Sequence, residues 1–258
     1  MGTLERRTEI QALVVQRGKV RITELARRFE VSEMTIRRDL ETLESQGLAR
    51  RVMGGAVATV SRSYEPPFAS RVAEAQGAKR AIAQAASAYV EFGETAVLDV
   101  GSSALELARV LRERAGLTVV TANIRAAVEL ASEPSIRVIV TGGEVRPGEL
   151  SLIGAGPERT FAELNCDVMF LGVGGLHPEK GFTEYSLEDA QIKRAALAAS
   201  SRCVVLADAS KLDRICLATV APIAAADVVI SDAPSDHPAL VAVRDAGVEV
   251  VSVTPLEV

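Results

Sequence analysis

From Gly77 onward the sequence alternates between short runs of Val, Ile, Leu and Ala and longer stretches with helical spacing. This alternation limits the fold more than any other feature of the chain. Buried-strand candidates are Ala96–Val100, Leu117–Thr121, Arg137–Thr141, Val168–Gly172, Cys203–Ala207, Val228–Ser231 and Val248–Val253. Helical candidates fall at 77–91, 104–115, 124–132, 157–164, 187–201 and 238–246. A strand that is apolar along its whole length has to be covered on both faces. A largely parallel sheet with helices on each side meets that demand. The pattern therefore predicts an α/β domain over 76–258.

The first fifth is built differently. Residues 3–17 have helical spacing, with Leu4, Ile10, Leu13 and Val14 apolar, and Arg17-Gly18-Lys19 supplies a stop. Thr23 is placed to cap a second helix with Leu25, Ala26 and Phe29 inward. Ser32 is placed to cap a third, in which Ile36, Leu40 and Leu43 form one apolar stripe and Thr35, Arg37 and Arg38 point elsewhere. This helix is expected to end near Gln46-Gly47, followed by a hairpin around Gly54-Gly55 with Arg50 and Arg51 at its base. Three helices, a tight turn before the third and a basic hairpin make a winged helix-turn-helix, assigned to 3–58. Residues 59–75 read as a linker, because Glu65-Pro66-Pro67 cannot lie inside a helix.

Such a head places its third helix in the DNA major groove and its wing on the backbone. Arg37, Arg38, Arg50 and Arg51 are the candidate phosphate contacts, with Ser32 and Thr35 able to reach phosphate or base. Sequence choice falls to Glu33, Met34, Thr35 and one of the arginines. Thr23 and Gly54 complete the candidate face. Charge agrees with this division. Residues 1–57 carry 11 Lys and Arg against 8 Asp and Glu, whereas the remainder carries 18 against 26.

In open α/β sheets, ligands bind where strand C-termini meet helix N-termini. Asp99-Val100-Gly101-Ser102-Ser103 follows one strand and opens a helix, offering backbone N–H groups, two hydroxyls and a favourable dipole to a phosphate. Thr121-Ala122-Asn123, Thr141-Gly142-Gly143, Gly172-Val173-Gly174-Gly175 and Asp208-Ala209-Ser210-Lys211 lie at other strand ends. Asp99, Asp208 and Lys211 are charges that a core would not hold without partners. Neither a dinucleotide fingerprint nor a Gly-Lys-[Ser/Thr] phosphate loop occurs. Cys166, Cys203 and Cys216 are widely spaced in apolar surroundings and, with only His177 and His237 beside them, suggest no disulfide and no metal site. No transmembrane helix is expected, and the first ten residues lack the apolar stretch of a secretory signal.

Val31-Ser32, Thr35-Ile36-Arg37-Arg38-Asp39-Leu40, Leu43-Glu44, Gly47-Leu48, Arg50 and Gly54-Gly55-Ala56 resemble the N-terminal signature of the DeoR family of bacterial transcriptional regulators. The second half is similar to that family's C-terminal sensor domain through Lys79-Arg80-Ala81-Ile82, Asp99 with Gly101-Ser102-Ser103, Phe170-Leu171-Gly172, Gly181-Phe182-Thr183, Lys193 and Asp208 with Ser210-Lys211. The resemblance implies a fold related to ribose-5-phosphate isomerase. It also implies phosphate contacts from Gly101, Ser102 and Ser103, and further contacts near Thr121, Gly174, Gly175, Asp208 and Lys211, with Lys79 nearby. The chain departs from the family pattern at Ala122, where Asn123 falls one place late, and at Asp213.

The expected function is a DNA-binding repressor of a carbohydrate or sugar-phosphate catabolic operon, released by a phosphorylated sugar. Its expected partners are operator DNA, that effector and further copies of itself as a dimer or tetramer. It is expected in the cytoplasm, with no membrane partner, no cofactor and no catalytic residue. The alternative is a sugar-phosphate isomerase with an accessory DNA domain. With Lys193 laid on the isomerase lysine, however, the general-base position falls on Ile192, with Glu188 and Asp189 a turn earlier.

Overall fold

The computed structural model describes residues 2–45, 48–58 and 62–257. The chain divides into two compact units, Met1–Pro66 and Pro67–Val258.

In the first unit, α1 (Thr3–Arg17), β1 (Lys19–Arg21), α2 (Ile22–Arg28) and α3 (Glu33–Ser45) are followed by the wing strands β2 (Ala49–Val52) and β3 (Gly55–Ala58). The strands form an antiparallel sheet in the order β1-β3-β2. Ile10 and Val14 of α1, Leu25 of α2, and Ile36, Leu40 and Leu43 of α3 close one core with Val20 and Ala56 of the sheet. Gly55 is required by that closure, because a Cβ there would lie 2.0 Å from the Val20 carbonyl oxygen. Gly54 turns the hairpin at φ 80°. One expectation fails here: Thr23 does not cap α2. The cap lies two residues earlier, at Arg21, because β1 runs directly into the helix. The expected helix end at Gln46-Gly47 lies outside the described residues.

The second unit opens with α4 (Phe68–Ala73) and α5 (Gln76–Ala86). The first half of its sheet region then runs β4 (Thr95–Leu98), α6 (Ser102–Leu111), β5 (Leu117–Thr121), α7 (Ile124–Leu130) and β6 (Ile136–Val140). A hairpin of β7 (Glu144–Arg146) and β8 (Ser151–Ile153) precedes α8 (Ala155–Ala162), β9 (Cys166–Gly172), β10 (Gly175–His177) and β11 (Gly181–Glu184). The chain ends with α9 (Leu187–Ala198), β12 (Ser200–Leu206), β13 (Ala218–Ala221), β14 (Val228–Ser231), α10 (Pro238–Asp245) and β15 (Glu249–Ser252).

Each expected strand is present in one seven-stranded parallel sheet, ordered β15-β14-β12-β9-β4-β5-β6. Its side chains alternate between two cores. Val97, Val120, Met169, Leu171, Val205 and Val229 meet α8, α9 and α10, whereas Leu98, Val119, Phe170, Val204 and Ile230 meet α5, α6 and α7. From β4 the chain winds outward through β5 and β6, then returns beside β4 at β9 and winds the other way. The order reverses between β4 and β9, which leaves a crevice at their C-terminal ends.

Two parts of this unit differ from expectation. Phe68–Ala73, read as linker, is a helix whose Phe68 ring meets the guanidinium groups of Arg71 and Arg125. Gly174-Gly175 is not a free strand end, since β10, β11 and β13 form a separate antiparallel sheet. No helix among the described residues is long and apolar enough to cross a membrane.

Candidate DNA-binding face and candidate effector site

The α3 stripe is sorted as its spacing requires. Ile36, Leu40 and Leu43 are buried, and Glu33, Met34, Arg37 and Arg38 are exposed. Ser32 caps the helix: its Oγ accepts the Thr35 backbone N–H at 3.1 Å and lies 2.9 Å from Thr35 Oγ1. Beside α3, a groove is lined by Ile22, Arg37, Arg51, Val52, Met53, Gly54 and Gly55. Arg38 and Arg50 are exposed and form no ion pair among the described residues, and Arg37 is only loosely paired with Glu33 at 3.9 Å. Thr23 is exposed on α2.

Arg51 lines the same groove but is engaged within the unit. It is exposed, but its guanidinium donates to Glu44 at 2.8 Å and to Glu41 at 2.5 Å, while its backbone N–H donates to Glu44 at 2.9 Å. These contacts tie β2 to α3, so the charge assigned to a DNA phosphate is already matched by two carboxylates.

Asp39 was not singled out from the sequence. Its side chain is buried, and its two oxygens accept from Arg6 Nε at 2.7 Å and Arg7 Nε at 2.8 Å. The pair pins α1 across α3 and fixes the direction in which Arg37 and Arg38, immediately before it, are displayed. A signal was available, because position 39 falls on the same stripe as Ile36, Leu40 and Leu43. A carboxylate on a buried stripe needs a cation.

In the second unit, Asp99 follows β4 at the crevice and Gly101 caps α6 at φ 99°. Ser102 and Ser103 form the first turn of α6, whose leading N–H groups have no acceptor within the helix. An added Cβ at Gly101 would lie 3.7 Å from Arg71 Nη1. Lys79 is buried and donates to the carbonyl oxygens of Arg71 and Glu74, so it holds the end of α4. Burial pulls its ammonium below the usual range, opposed by the charge of nearby Asp208. Asp208 accepts from the Ser210 backbone N–H at 3.0 Å and caps the short turn that carries Lys211.

Beneath this crevice lies a buried charged triad. Lys193 Nζ donates to Asp99 Oδ2 at 2.6 Å and to the Gly172 carbonyl at 2.7 Å, and it lies 2.9 Å from Glu184 Oε2. Asp99 Oδ2 also accepts the Gly172 N–H at 2.9 Å, which bridges β4 to β9. One ammonium serves two carboxylates, and their surroundings separate them. Burial pushes Asp99 up to about 6 despite Lys193. Burial also raises Glu184, but Lys193, the Tyr185 N–H and Arg71 outweigh it and hold that carboxyl below its usual range. Asp99 therefore braces the crevice from below and its carboxylate is already engaged.

Three more residues of the expected site make internal contacts. Thr121 is fully buried, with Oγ1 donating to the Leu98 carbonyl at 2.6 Å and accepting the Asn123 N–H at 3.0 Å. Gly174 donates its N–H to the Thr183 carbonyl. Gly175 sits where a Cβ would lie 2.3 Å from the Arg214 carbonyl oxygen. Asn123, one place from its family position, accepts from Arg125 and Ala126 and so caps α7. The isomerase alternative also loses its base: Glu188 is exposed and bonded to Ser186, and Asp189 is paired with Arg146 and Ser151. The α6 N-terminus is the part of the expected site that these internal bonds leave for an anion.

A family model described as the DeoR-like helix-turn-helix domain matches residues 6–62, and one described as the DeoR C terminal sensor domain matches residues 74–233. The chain belongs to the DeoR family of transcriptional regulators. Among its relatives, the HTH-type transcriptional regulator GolR of Listeria innocua is 32% identical over 97% of this chain and 98% of its own. The glycerol-3-phosphate regulon repressor of Escherichia coli K12 is 32% identical over 91% of this chain and 92% of its own. With relatives of this kind, the DeoR-family chain is a regulator and not an enzyme. A ribose 5-phosphate isomerase from Methanocaldococcus jannaschii aligns with a TM-score of 0.40 at 18% identity, over 52% of this chain and 53% of that one. Neither ligand nor activity transfers at that level.

Proposed function

We propose that this DeoR-family chain is a repressor of a carbohydrate or sugar-phosphate catabolic operon, and that a phosphorylated sugar bound to the second unit releases it from DNA. Arg37, Arg38 and Arg50 supply phosphate contacts, and Glu33, Met34 and Thr35 at the start of α3 choose among base edges. The effector's phosphate lies at Gly101-Ser102-Ser103. The observation that carries this reading is the place of that turn: a helix N-terminus at the point where the strand order reverses, braced by Asp99 and Lys193. The name of the glycerol-3-phosphate repressor supports the same class of effector. The protein acts in the cytoplasm as a homo-oligomer, since paired heads read paired half-sites.

The test is a mobility-shift titration with DNA flanking the protein's own gene, at two salt concentrations, with and without glycerol 3-phosphate, ribose 5-phosphate and fructose 6-phosphate. Binding that weakens with salt and is reversed by one sugar phosphate is expected. Failure to bind at low salt would remove the repressor reading. Binding unaffected by every phosphate ester, together with no thermal shift from any of them, would remove the effector reading.

A further inference from the structure

Tyr185 follows β11 and leads to the Ser186 cap of α9. Its ring is buried. A Cβ added at Gly174 would lie 3.0 Å from Tyr185 Cε2, 3.0 Å from Cys216 Sγ and 3.1 Å from Glu184 Oε1. The Arg214 guanidinium covers the ring at 5.1 Å from its centroid. The residue is 4% exposed, and its hydroxyl is buried with no hydrogen-bond partner among the described residues. Natural interiors rarely leave such a group unmatched, and a phenylalanine would fill the same space without the unmet hydroxyl.

The position of this hydroxyl narrows what it can serve. It lies in the electrostatic field of Arg214, Glu184 and Arg71. Glu184 is joined through Lys193 to Asp99, at the strand end that leads into Gly101-Ser102-Ser103, and Arg71 reaches the same Gly101. Tyr185 therefore packs beside Gly174, two residues beyond the C-terminal end of β9, the strand that borders the crevice. Burial raises the phenol well above its ordinary range, so at neutral pH it is an uncharged group that can donate and accept. A sugar hydroxyl has the same double character. A phosphate oxygen only accepts, and the leading N–H groups of α6 suit it better.

We propose that Tyr185 is a specificity-determining residue of the effector site, its hydroxyl exchanging a hydrogen bond with an oxygen of the sugar portion while the phosphate lies at the α6 N-terminus. The proposal rests on the reading of that crevice as the effector site. It assigns to Tyr185 the distinction between a sugar phosphate and bare phosphate.

The test compares full-length wild type with Tyr185→Phe by calorimetric titration and thermal shift. The probes are inorganic phosphate, glycerol 3-phosphate, ribose 5-phosphate and fructose 6-phosphate. The variant is expected to bind inorganic phosphate as wild type does and to lose about tenfold in affinity for whichever sugar phosphate wild type binds best, the effect of one net hydrogen bond. Without ligand, it is expected to melt no lower than wild type. Equal sugar-phosphate affinity in the two proteins, the outcome if the hydroxyl holds only water, overturns the proposal and leaves the site reading standing. So does a wild type that binds inorganic phosphate but no sugar phosphate more tightly. A clear fall in the melting temperature of the unliganded variant overturns it as well, because the hydroxyl would then have a structural partner. If neither inorganic phosphate nor any ester binds wild type, the site reading fails and the Tyr185 assignment with it.

Discussion

Lys193 Nζ lies 2.6 Å from Asp99 Oδ2, joining α9 to the end of β4 beneath the point where the sheet reverses its winding. Both side chains are almost wholly buried. Removing the ammonium leaves Asp99 and Glu184 facing each other without a cation. Lys193→Met is therefore expected to lose about 3–5 kcal/mol, the usual penalty for breaking a buried pair. Denaturant unfolding of the second unit measures it. A loss below about 1 kcal/mol would show that the triad does not hold the crevice together.

The same triad gives a pH dependence of definite sign. Asp99 is raised from 3.8 to about 6, so between those values the folded state holds a proton that the unfolded state has released. Its contribution is full below about pH 4 and is lost as pH rises to about 6. Glu184, lowered, contributes in the opposite direction, present above its unfolded value and lost on acidification. Lys193, raised by Asp99 and Glu184 against the effect of burial, keeps its contribution until alkaline pH. The stability difference between wild type and Asp99→Asn should therefore shrink from pH 4 to 6 and then stay level to pH 8. Urea midpoints across that range test it, and a difference that grows with pH would contradict the assignment.

Two substitutions in neighbouring residues of α3 should fail in different ways. Asp39→Ala leaves Arg6 buried without its carboxylate and should destabilise the first unit by about 3–5 kcal/mol, with DNA binding lost through unfolding. Arg38→Ala removes an exposed side chain and should leave stability within about 0.5 kcal/mol while weakening DNA binding. Thermal unfolding beside DNA titration separates the two. Equal unfolding profiles for wild type and Asp39→Ala would refute the pinning role.

The central strands of the large sheet were legible because each carries a run of apolar residues, and burial on both faces leaves a strong signal in sequence. The α3 stripe was legible for the corresponding helical reason. Thr121, Gly174 and Gly175 were ambiguous because a polar or glycine residue after a strand looks the same whether its groups face a ligand or a neighbouring chain segment. Only the partners, the Leu98 carbonyl, the Thr183 carbonyl and the Arg214 backbone, separate the two cases. Arg51 is similar. Its sequence position is that of a wing arginine, and Glu41 and Glu44 come within reach only once β2 folds back on α3. Arg71 and Tyr185 gave no signal, since neither belongs to a periodic stripe or a strand end of the large sheet.

That difference between Arg51 and its neighbours can be read from salt dependence. An arginine that neutralises a DNA phosphate contributes a slope of about 0.9 to the fall of log affinity with log salt. Arg38→Ala and Arg50→Ala should each reduce the slope by about that amount, roughly equally for operator and unrelated DNA. Arg51 already faces two carboxylates, so Arg51→Ala should change the slope by much less and act by loosening the wing from α3. The converse is the sharper measurement. Replacing Glu41 and Glu44 together by Gln releases the Arg51 charge and removes two negative charges beside the groove, so DNA affinity and salt slope should both rise. Titrations at several salt concentrations decide the matter, and an unchanged slope in the double variant would mean that Arg51 stays on the α3 side of the wing even without its carboxylates.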